Sequence, residues 1–440
     1  MLKRVGFSPE IPEVAIRDAA FPAPFASGLD FSPPARGAWN IVHTAMLVPE
    51  AHQIYACAKG CMRGVILTAA EMNAMDRMSW VAVEERDLVS GSIETGVVEG
   101  CAHILGKMKK KPRCVMVFLS CVQLFAGVDF ASIIAELSAR FPEIDFIDCY
   151  MHPTMRKSGL TPEQSLRKQM YSPLAPCPEK PRTAAFLGND LATSPEAEIV
   201  RLLTAQGWEV RELAACRTYD DFLRLAECGL FLTTLPVANP GAEHLTERLG
   251  RQHLYLPAAY SFAEDRENLA RLAEFLQVPC PDCRAAEDAA RRALEQARDT
   301  LDGMPVAIDY SATPRPLGLA RLLLEHGFRV EKVFLDVVSP EEKIDFLYLQ
   351  SAHPGLRLAP TVHAAMRFGA GQAPGTLAVG QKAAYFCGTR HFVNMVEGGG
   401  LHGFSGIARL AEQIAEAAKT ELDTEKVIRC KGLGCESCLV

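Results

Sequence analysis

The chain lacks a hydrophobic run long enough to cross a bilayer. Its longest mainly apolar stretch, residues 114–128, is interrupted by Ser120 and Gln123 and falls short of the ~20 residues that a spanning helix needs. The opening residues, MLKRVGFSPEIPEVAIRD, lack the apolar core of an export signal, so the expected location is the cytoplasm, away from any membrane. A basic excess is missing too. There are 46 Lys and Arg against 53 Asp and Glu, a net charge of −7, which argues against a nucleic-acid partner. No Walker loop occurs, so ATP binding through that signature is not expected. The glycine-rich piece at residues 397–406 (EGGGLHGFSG) meets G-x-G-x-x-G in its letters at 398–403, but a lone match late in the chain does not by itself indicate nicotinamide binding. A composition of 49% hydrophobic and 22% charged residues excludes a largely disordered chain.

What the chain does have is cysteine, 15 in all. Without an export signal a disulfide framework is the wrong expectation, and an odd number cannot pair fully within one chain. Metal or redox chemistry in a reducing compartment is the better one. At ~150 residues per domain, a chain of 440 implies two or three domains. Residues 1–40 are rich in Pro, Ala and Gly and suggest an extended arm lying over a surface or a partner. Beyond them, strand candidates at 80–83, 114–120 (CVMVFLS) and 144–150 (IDFIDCY) alternate with helical patterns at 93–108 and 130–141. Such alternation predicts βαβ units and a parallel sheet.

An internal repeat extends the pattern. Residues 201–210 are RLLTAQGWEV and residues 321–330 are RLLLEHGFRV; each closes a helix on Gly207 or Gly327, suited to a left-handed cap, and enters a strand. Ser194 before Pro195 suggests an N-cap followed by an N1 proline. Two related units thus begin near Arg182 and Met304. The charged helix at 287–298 is expected to be a linker or an outer helix. Three successive α/β domains with mainly parallel sheets follow: 41–181, 182–303 and 304–424, with the arm before them and a Cys-rich tail, 425–440, after.

Several cysteines are candidates for chemistry. Cys57 and Cys61 are four apart, so a helical turn would put them on one face with β-carbons ~6 Å apart; Gly60 also allows a loop. Cys121 follows a strand at its carboxyl end, where α/β sheets place ligands. Thiolates suit iron–sulfur clusters, but three buried core thiols would make the same pattern. Cys430, Cys435 and Cys438 form either a metal-wrapping tail or a reactive one. Cys280 and Cys283 (PCPDC) have no partner pair nearby and suggest a surface loop. Cys101, Cys114, Cys149, Cys177, Cys216, Cys228 and Cys387 are expected to pack as small hydrophobes.

The order YACAKGCMRG (55–64), VEERDLVSG (83–91) and VMVFLSCVQLFAGVDF (115–130) resembles the first domain of nitrogenase component 1 and related oxidoreductases, including the dark-operative protochlorophyllide reductases. The likeness covers roughly residues 40–420. It implies three Rossmann-like α/β domains and an oligomer with an identical or paralogous subunit, as a homodimer or heterotetramer. It also implies a [4Fe-4S] or larger P-cluster-like iron–sulfur cluster at the subunit interface, held here by Cys57, Cys61 and Cys121. Electrons would come from an ATP-hydrolysing iron–sulfur reductase and pass to a substrate, metal cofactor or tetrapyrrole in a cavity between domains. The chain departs from true nitrogenase at 229–236 (GLFLTTLP), where Thr233 and Thr234 stand in place of a cofactor-binding cysteine; Cys228 lies at the wrong end of that strand. In the third domain His391 and His402 are the candidates to face the cavity, His391 being preferred. Gly398–Gly400 is expected to let backbone approach a bulky cofactor.

Three further groups are weighed. His152, Arg156 and Lys157 follow a strand where the cavity should open and would suit a carboxylate-bearing ligand, or else form a solvated loop. His43, Glu50 and His52 could tune the cluster or cap a helix. The KMKKK run at 107–111 suits a helix carboxyl end or a docking patch for an acidic reductase. A cofactor-assembly scaffold of the same fold and a non-catalytic α/β binding protein are the alternative functions.

Overall fold

The computed structural model describes residues 10–26, 28–35, 40–152 and 159–429. The arm supplies β1 (Val14–Ala15). Next come α1 (Ile41–Met46), β2 (Ala51–Cys57), α2 (Met62–Glu71), β3 (Met78–Ala82), α3 (Glu85–Ser90), α4 (Ile93–Lys107) and β4 (Cys114–Ser120). They are followed by α5 (Cys121–Phe125), α6 (Phe130–Arg140), β5 (Asp145–Met151) and α7 (Pro162–Gln169). The strands form sheet one, all parallel, in the order β3-β2-β4-β5.

Sheet two, also parallel, has the order β7-β6-β8-β9. Its elements are β6 (Lys180–Phe186), α8 (Glu198–Ala205), β7 (Glu209–Glu212), α9 (Tyr219–Leu223), β8 (Cys228–Thr233), α10 (Asn239–Leu249) and β9 (Gln252–Tyr255). Then α11 (Phe262–Leu276) and α12 (Arg284–Leu301) lead to sheet three. That sheet is built from β10 (Val306–Asp309), α13 (Pro316–Glu325), β11 (Val330–Phe334), α14 (Lys343–Ala352), β12 (Arg357–Ala359), β13 (Leu377–Val379), α15 (Gln381–Cys387) and β14 (Phe392–Val393), and α16 (Gly403–Lys419) ends it. Its order is β1-β12-β11-β10-β13-β14, parallel except for β1, which adds antiparallel to β12. The arm therefore lies on its own chain: Ile16 is fully buried in the core.

Strands buried on both faces carry near-continuous apolar runs, and alternate residues serve different layers. In β4, Cys114, Met116 and Phe118 face one apolar cluster while Val115, Val117 and Leu119 face another. Ala185 and Phe231 of sheet two join the cluster of Phe118, whereas Ala184, Phe186, Leu230 and Leu232 pack with Val306, Ile308, Val333 and Leu377 of sheet three. Ala307, Phe334 and Ala378 close the far side. Each sheet thus shares an apolar layer with the next. The charged helix α12 is amphipathic: Ala290, Leu294, Ala297 and Leu301 are buried on one side, against α16.

Both repeat decamers fold alike, with Gly207 at φ +74° and Gly327 at φ +79°. The expected cap at Ser194 is displaced, however. Helix α8 starts at Glu198; the Ser194 Oγ instead accepts from the Glu196 N–H at 3.2 Å within the preceding turn, and the Ser194 N–H donates to the Gly400 carbonyl at 2.9 Å. Gly398, Gly399 and Gly400 all take positive φ. A Cβ on Gly400 would stand 2.1 Å from the Ala192 carbonyl oxygen. Gly400 therefore admits a close approach by the chain's own backbone, whereas a Cβ on Gly398 would meet nothing.

Helix α7 follows sheet one but is anchored to sheet two. Arg167, fully buried, donates to the Gly188 carbonyl (2.7 Å) and Glu163 (3.0 Å) and pairs with Asp190. Arg167→Leu breaks the buried Asp190 ion pair and the Gly188 hydrogen bond and is expected to cost about 3–5 kcal/mol, measured as a lowered urea midpoint. Gly400→Ala should cost about 1–3 kcal/mol in the same assay.

Candidate functional site

In sheet one the connections leave β2 and β4 in opposite directions, which opens a crevice at their carboxyl ends, the usual ligand position in such sheets. Cys57 ends β2 and Cys121 opens α5 directly after β4. Lys59–Cys61 is a 3-10 turn, so Cys61 is reached by a tight loop and not by an α-helical turn. A Cβ on Gly60 would meet nothing, so the turn does not depend on glycine. Lys59 pairs with Glu84 at 3.1 Å.

Gln123 joins the two strand ends. Its Oε1 accepts from the Ser120 N–H (3.0 Å) and Oγ (2.6 Å), and its Nε2 donates to the Ala56 carbonyl at 2.7 Å. Gln123 was absent from the expected site, yet Ser-x-x-Gln is a recognisable capping box. His152 lies at the same edge, its Nε2 3.0 Å from the Ser120 carbonyl oxygen and its ring 5.3 Å from Tyr150. Cys57 is buried beside the Met62 sulfur (2.9 Å), whereas Cys61 is exposed and Cys121 half-exposed. Burial, then the neighbouring Cys61, pushes the Cys57 thiol up to about 12. Around these cysteines Leu88 and Val89 of α3, and Leu124 and Phe125 of α5, expose large apolar side chains, Phe125 to 75%.

A cleft of about 420 Å³ lies between the carboxyl edges of sheets two and three, with Glu163 of α7 on its wall. Asp190, Thr234, Tyr310, Asp336, Glu342 and Glu397 line it. Thr234 Oγ1 donates to Asn189 at 2.8 Å and Thr233 Oγ1 to Asn239 at 2.6 Å, both hydroxyls being buried. Cys228 is buried at the opposite end of β8. Glu342 accepts from the Leu317 and Gly318 N–H groups (2.7 and 3.0 Å) at the start of α13. Burial outweighs those bonds and pushes its carboxyl up to about 8, so it carries a proton at neutral pH.

The two third-domain histidines are elsewhere. His391 precedes β14, at the amino end of the sheet, with Nδ1 3.0 Å from the Ala417 carbonyl oxygen. The preference for it as the cavity-facing residue is therefore corrected: a residue before a parallel strand points away from the ligand edge. His402 caps α16 and lines a separate void of about 20 Å³ with Glu198 and Asp265, room for one water. Burial pushes its imidazole down to about 4.

The remaining candidates separate clearly. His43 caps α1 through its Nδ1, and His52 bonds Ser79 at 2.9 Å. Glu50 accepts from the Tyr219 N–H at 2.9 Å. Lys109, Lys110 and Lys111 line a groove at the amino edge of sheet one, a strand length of roughly 20 Å from the cysteines. A reductase docked there would be on the wrong side of the sheet. Cys101, Cys114, Cys149, Cys228 and Cys387 are buried, as core packing requires; Cys177 and Cys216 are half-buried. Arg156, Lys157, Cys430, Cys435 and Cys438 lie outside the described residues.

The model of the nitrogenase component 1 type oxidoreductases matches residues 42–419. The chain belongs to that family. A solved structure titled "Nitrogenase Cp1 at pH 6.5" superposes with a TM-score of 0.64 at 14% identity, covering 90% of this chain and 94% of that one. Another, "Nitrogenase Cp1 at pH 5", gives 0.58 at 13% identity, covering 90% and 91%. At that identity the likeness is one of fold. The curated proteins contain no match.

For a member of this family, the group to test against the residues is an iron–sulfur cluster. The donor set is compatible with half of a shared site: three thiols on separate elements reach one sheet edge, and thiolate is the ligand iron–sulfur clusters take. Among the described residues no three His, Cys, Asp or Glu side chains already converge as around an ion. A cation there would offset the burial that holds the Cys57 proton.

Glu342 yields a pH test. Its carboxyl shifts from 4.5 to about 8 on folding, so its stabilising contribution is complete below 4.5 and is lost as pH rises towards 8. The slope is at most about 1.4 kcal/mol per pH unit. Glu342→Gln keeps an acceptor for the two N–H groups. It should gain stability over the wild type steadily from pH 5 to pH 8 in paired thermal melts.

Proposed function

We propose that this chain is the electron-receiving subunit of a two-component reductase, pairing with an identical or paralogous subunit across the cysteine edge of sheet one. The observation that carries this reading is that Cys57, Cys61 and Cys121 lie at one sheet edge. Exposed Leu124 and Phe125 lie on the helix that Cys121 opens, and exposed Leu88 and Val89 on α3, whose start is tied to Lys59 through Glu84. A second subunit would cover that apolar rim and supply the remaining thiolates. An iron–sulfur cluster held there would supply one-electron redox chemistry. Gln123 keeps Cys121 in register with the end of β2, and His152 presents an imidazole beside Ser120. The electron donor is an ATP-hydrolysing iron–sulfur reductase. Substrate, a metal cofactor or a tetrapyrrole occupies the cleft between sheets two and three, where Glu342 holds a proton that a reduction can consume.

One observation favours a second reading, an assembly scaffold that passes a metal cofactor on. Where nitrogenase offers a cysteine to its cofactor, this cleft presents Thr234 with its hydroxyl already committed to Asn189. A ligand held without a thiolate bond leaves more easily. Turnover with a reductase and ATP, against transfer of the ligand to another protein, separates the two.

Anaerobic reconstitution with iron and sulfide should give a brown protein with thiolate-to-iron absorption. Cys61→Ala or Cys121→Ala should lower bound iron and weaken subunit association in light scattering, while Cys101→Ala should change neither. A colourless wild-type protein after reconstitution would refute the cluster.

A further inference from the structure

Cys280 and Cys283 sit in the loop between α11 and α12, where Cys283 packs against the core shared by sheets two and three. Both thiols converge on one atom. The Sγ of Cys280 is 3.8 Å and that of Cys283 is 3.4 Å from the Pro281 carbonyl oxygen. Cys280 is exposed, whereas Cys283 is half-buried as the N-cap residue of the 18-residue α12, with no side-chain bond to the helix. Pro279 and Pro281 fix φ on either side of Cys280, so little freedom is lost if the sulfurs join. The two-residue spacing at a helix start is that of dithiol–disulfide pairs.

We propose that Cys280 and Cys283 form a dithiol–disulfide site that exchanges electrons with an external disulfide, independently of the cysteine edge of sheet one. Exposed Cys280, as thiolate, attacks the external disulfide, giving a mixed disulfide and releasing one thiol. The Cys283 thiolate then attacks the Cys280 sulfur, closes the internal disulfide and expels the second thiol. In sum, two protein thiols lose two electrons and two protons, and one external disulfide becomes two thiols.

The surroundings indicate which form is favoured. Burial, a charge on Cys280, and the carboxylates of Glu198, Asp282 and Glu287 all push the Cys283 thiol up. The helix start, which elsewhere stabilises a thiolate, is therefore countered by acidic neighbours. A pair whose reduced thiolate is not stabilised makes a weak oxidant and a durable disulfide. The Asp282 carboxylate is itself paired with exposed Arg284, with contacts of 3.0 and 2.6 Å.

The test uses the full chain, reduced, freed of reductant and then exposed to oxidised glutathione. Residues 272–284 lie between Arg271 and Arg284 and contain these two cysteines and no other, so trypsin isolates them. The expected result is a peptide lighter by two hydrogens, with alkylation of both cysteines reduced roughly tenfold or more. Cys283→Ser should stop at a glutathione adduct on Cys280, and Cys280→Ser should leave Cys283 open to alkylation. Three outcomes would overturn the proposal: a lasting adduct on Cys280 in the wild type with Cys283 still alkylated, a cross-link from this peptide to another, or no reaction at all.

Discussion

A guanidinium with no access to water must find its counter-charges in place, and Arg167 meets that requirement across two sheets. Its partners are Glu163, one helical turn away, and Gly188 and Asp190, which follow β6. The desolvation of such an ion is several kcal/mol and is offset only by good geometry, so α7 cannot slide relative to sheet two. Gly241 of α10 completes the contact: a Cβ there would come within 2.5 Å of the Arg167 carbonyl oxygen. The wall of the cleft on this side is set by that ion pair.

Arg315 does the same on the opposite wall. It donates to the Ala258 carbonyl at 3.1 Å, to Glu264 of α11 at 2.6 Å and to Asp345 of α14 at 3.0 Å. Between the two lies the glycine seam, where Glu397 and Gly398 donate to Ser311 and Ala312 of the third sheet and Gly400 accepts from Ser194 of the second. The cleft is therefore a consequence of how the sheets are tied, and Glu163, Asp190 and Glu397, which line it, belong to those ties. Cationic side chains expected at its mouth, on residues 156 and 157, are outside the described part of the chain.

Much of sheet one was legible in advance. The run CVMVFLS is β4 residue for residue, because a strand buried on both faces has a composition that no surface helix shares. The 93–108 pattern is α4 to within one residue. Strand β2 was missed, since AHQIYAC carries His52 and Gln53, polar residues that satisfy their bonds inside the core through Ser79 and the Val42 carbonyl. The cysteines of the candidate site stood out by spacing, whereas Gln123 and Glu342 did not. Their roles depend on partners 67 and 24 residues away, and no local pattern encodes such a distance.

The sequence by itself determined the class of the fold, the alternation of strands and helices, and the place of Cys121 at a strand's carboxyl end, because periodicity and strand position are local properties. Its resemblance to the component 1 family is likewise carried by short runs of neighbouring residues. Only the tertiary structure decided that His391 lies at the amino edge, that Gly400 admits the chain's own backbone, and that the lysine run lies opposite the cysteines. Those outcomes depend on which end of a sheet a residue occupies and on what packs against it. Both are fixed by contacts between segments far apart in the chain, where burial and ion pairing outweigh local preference.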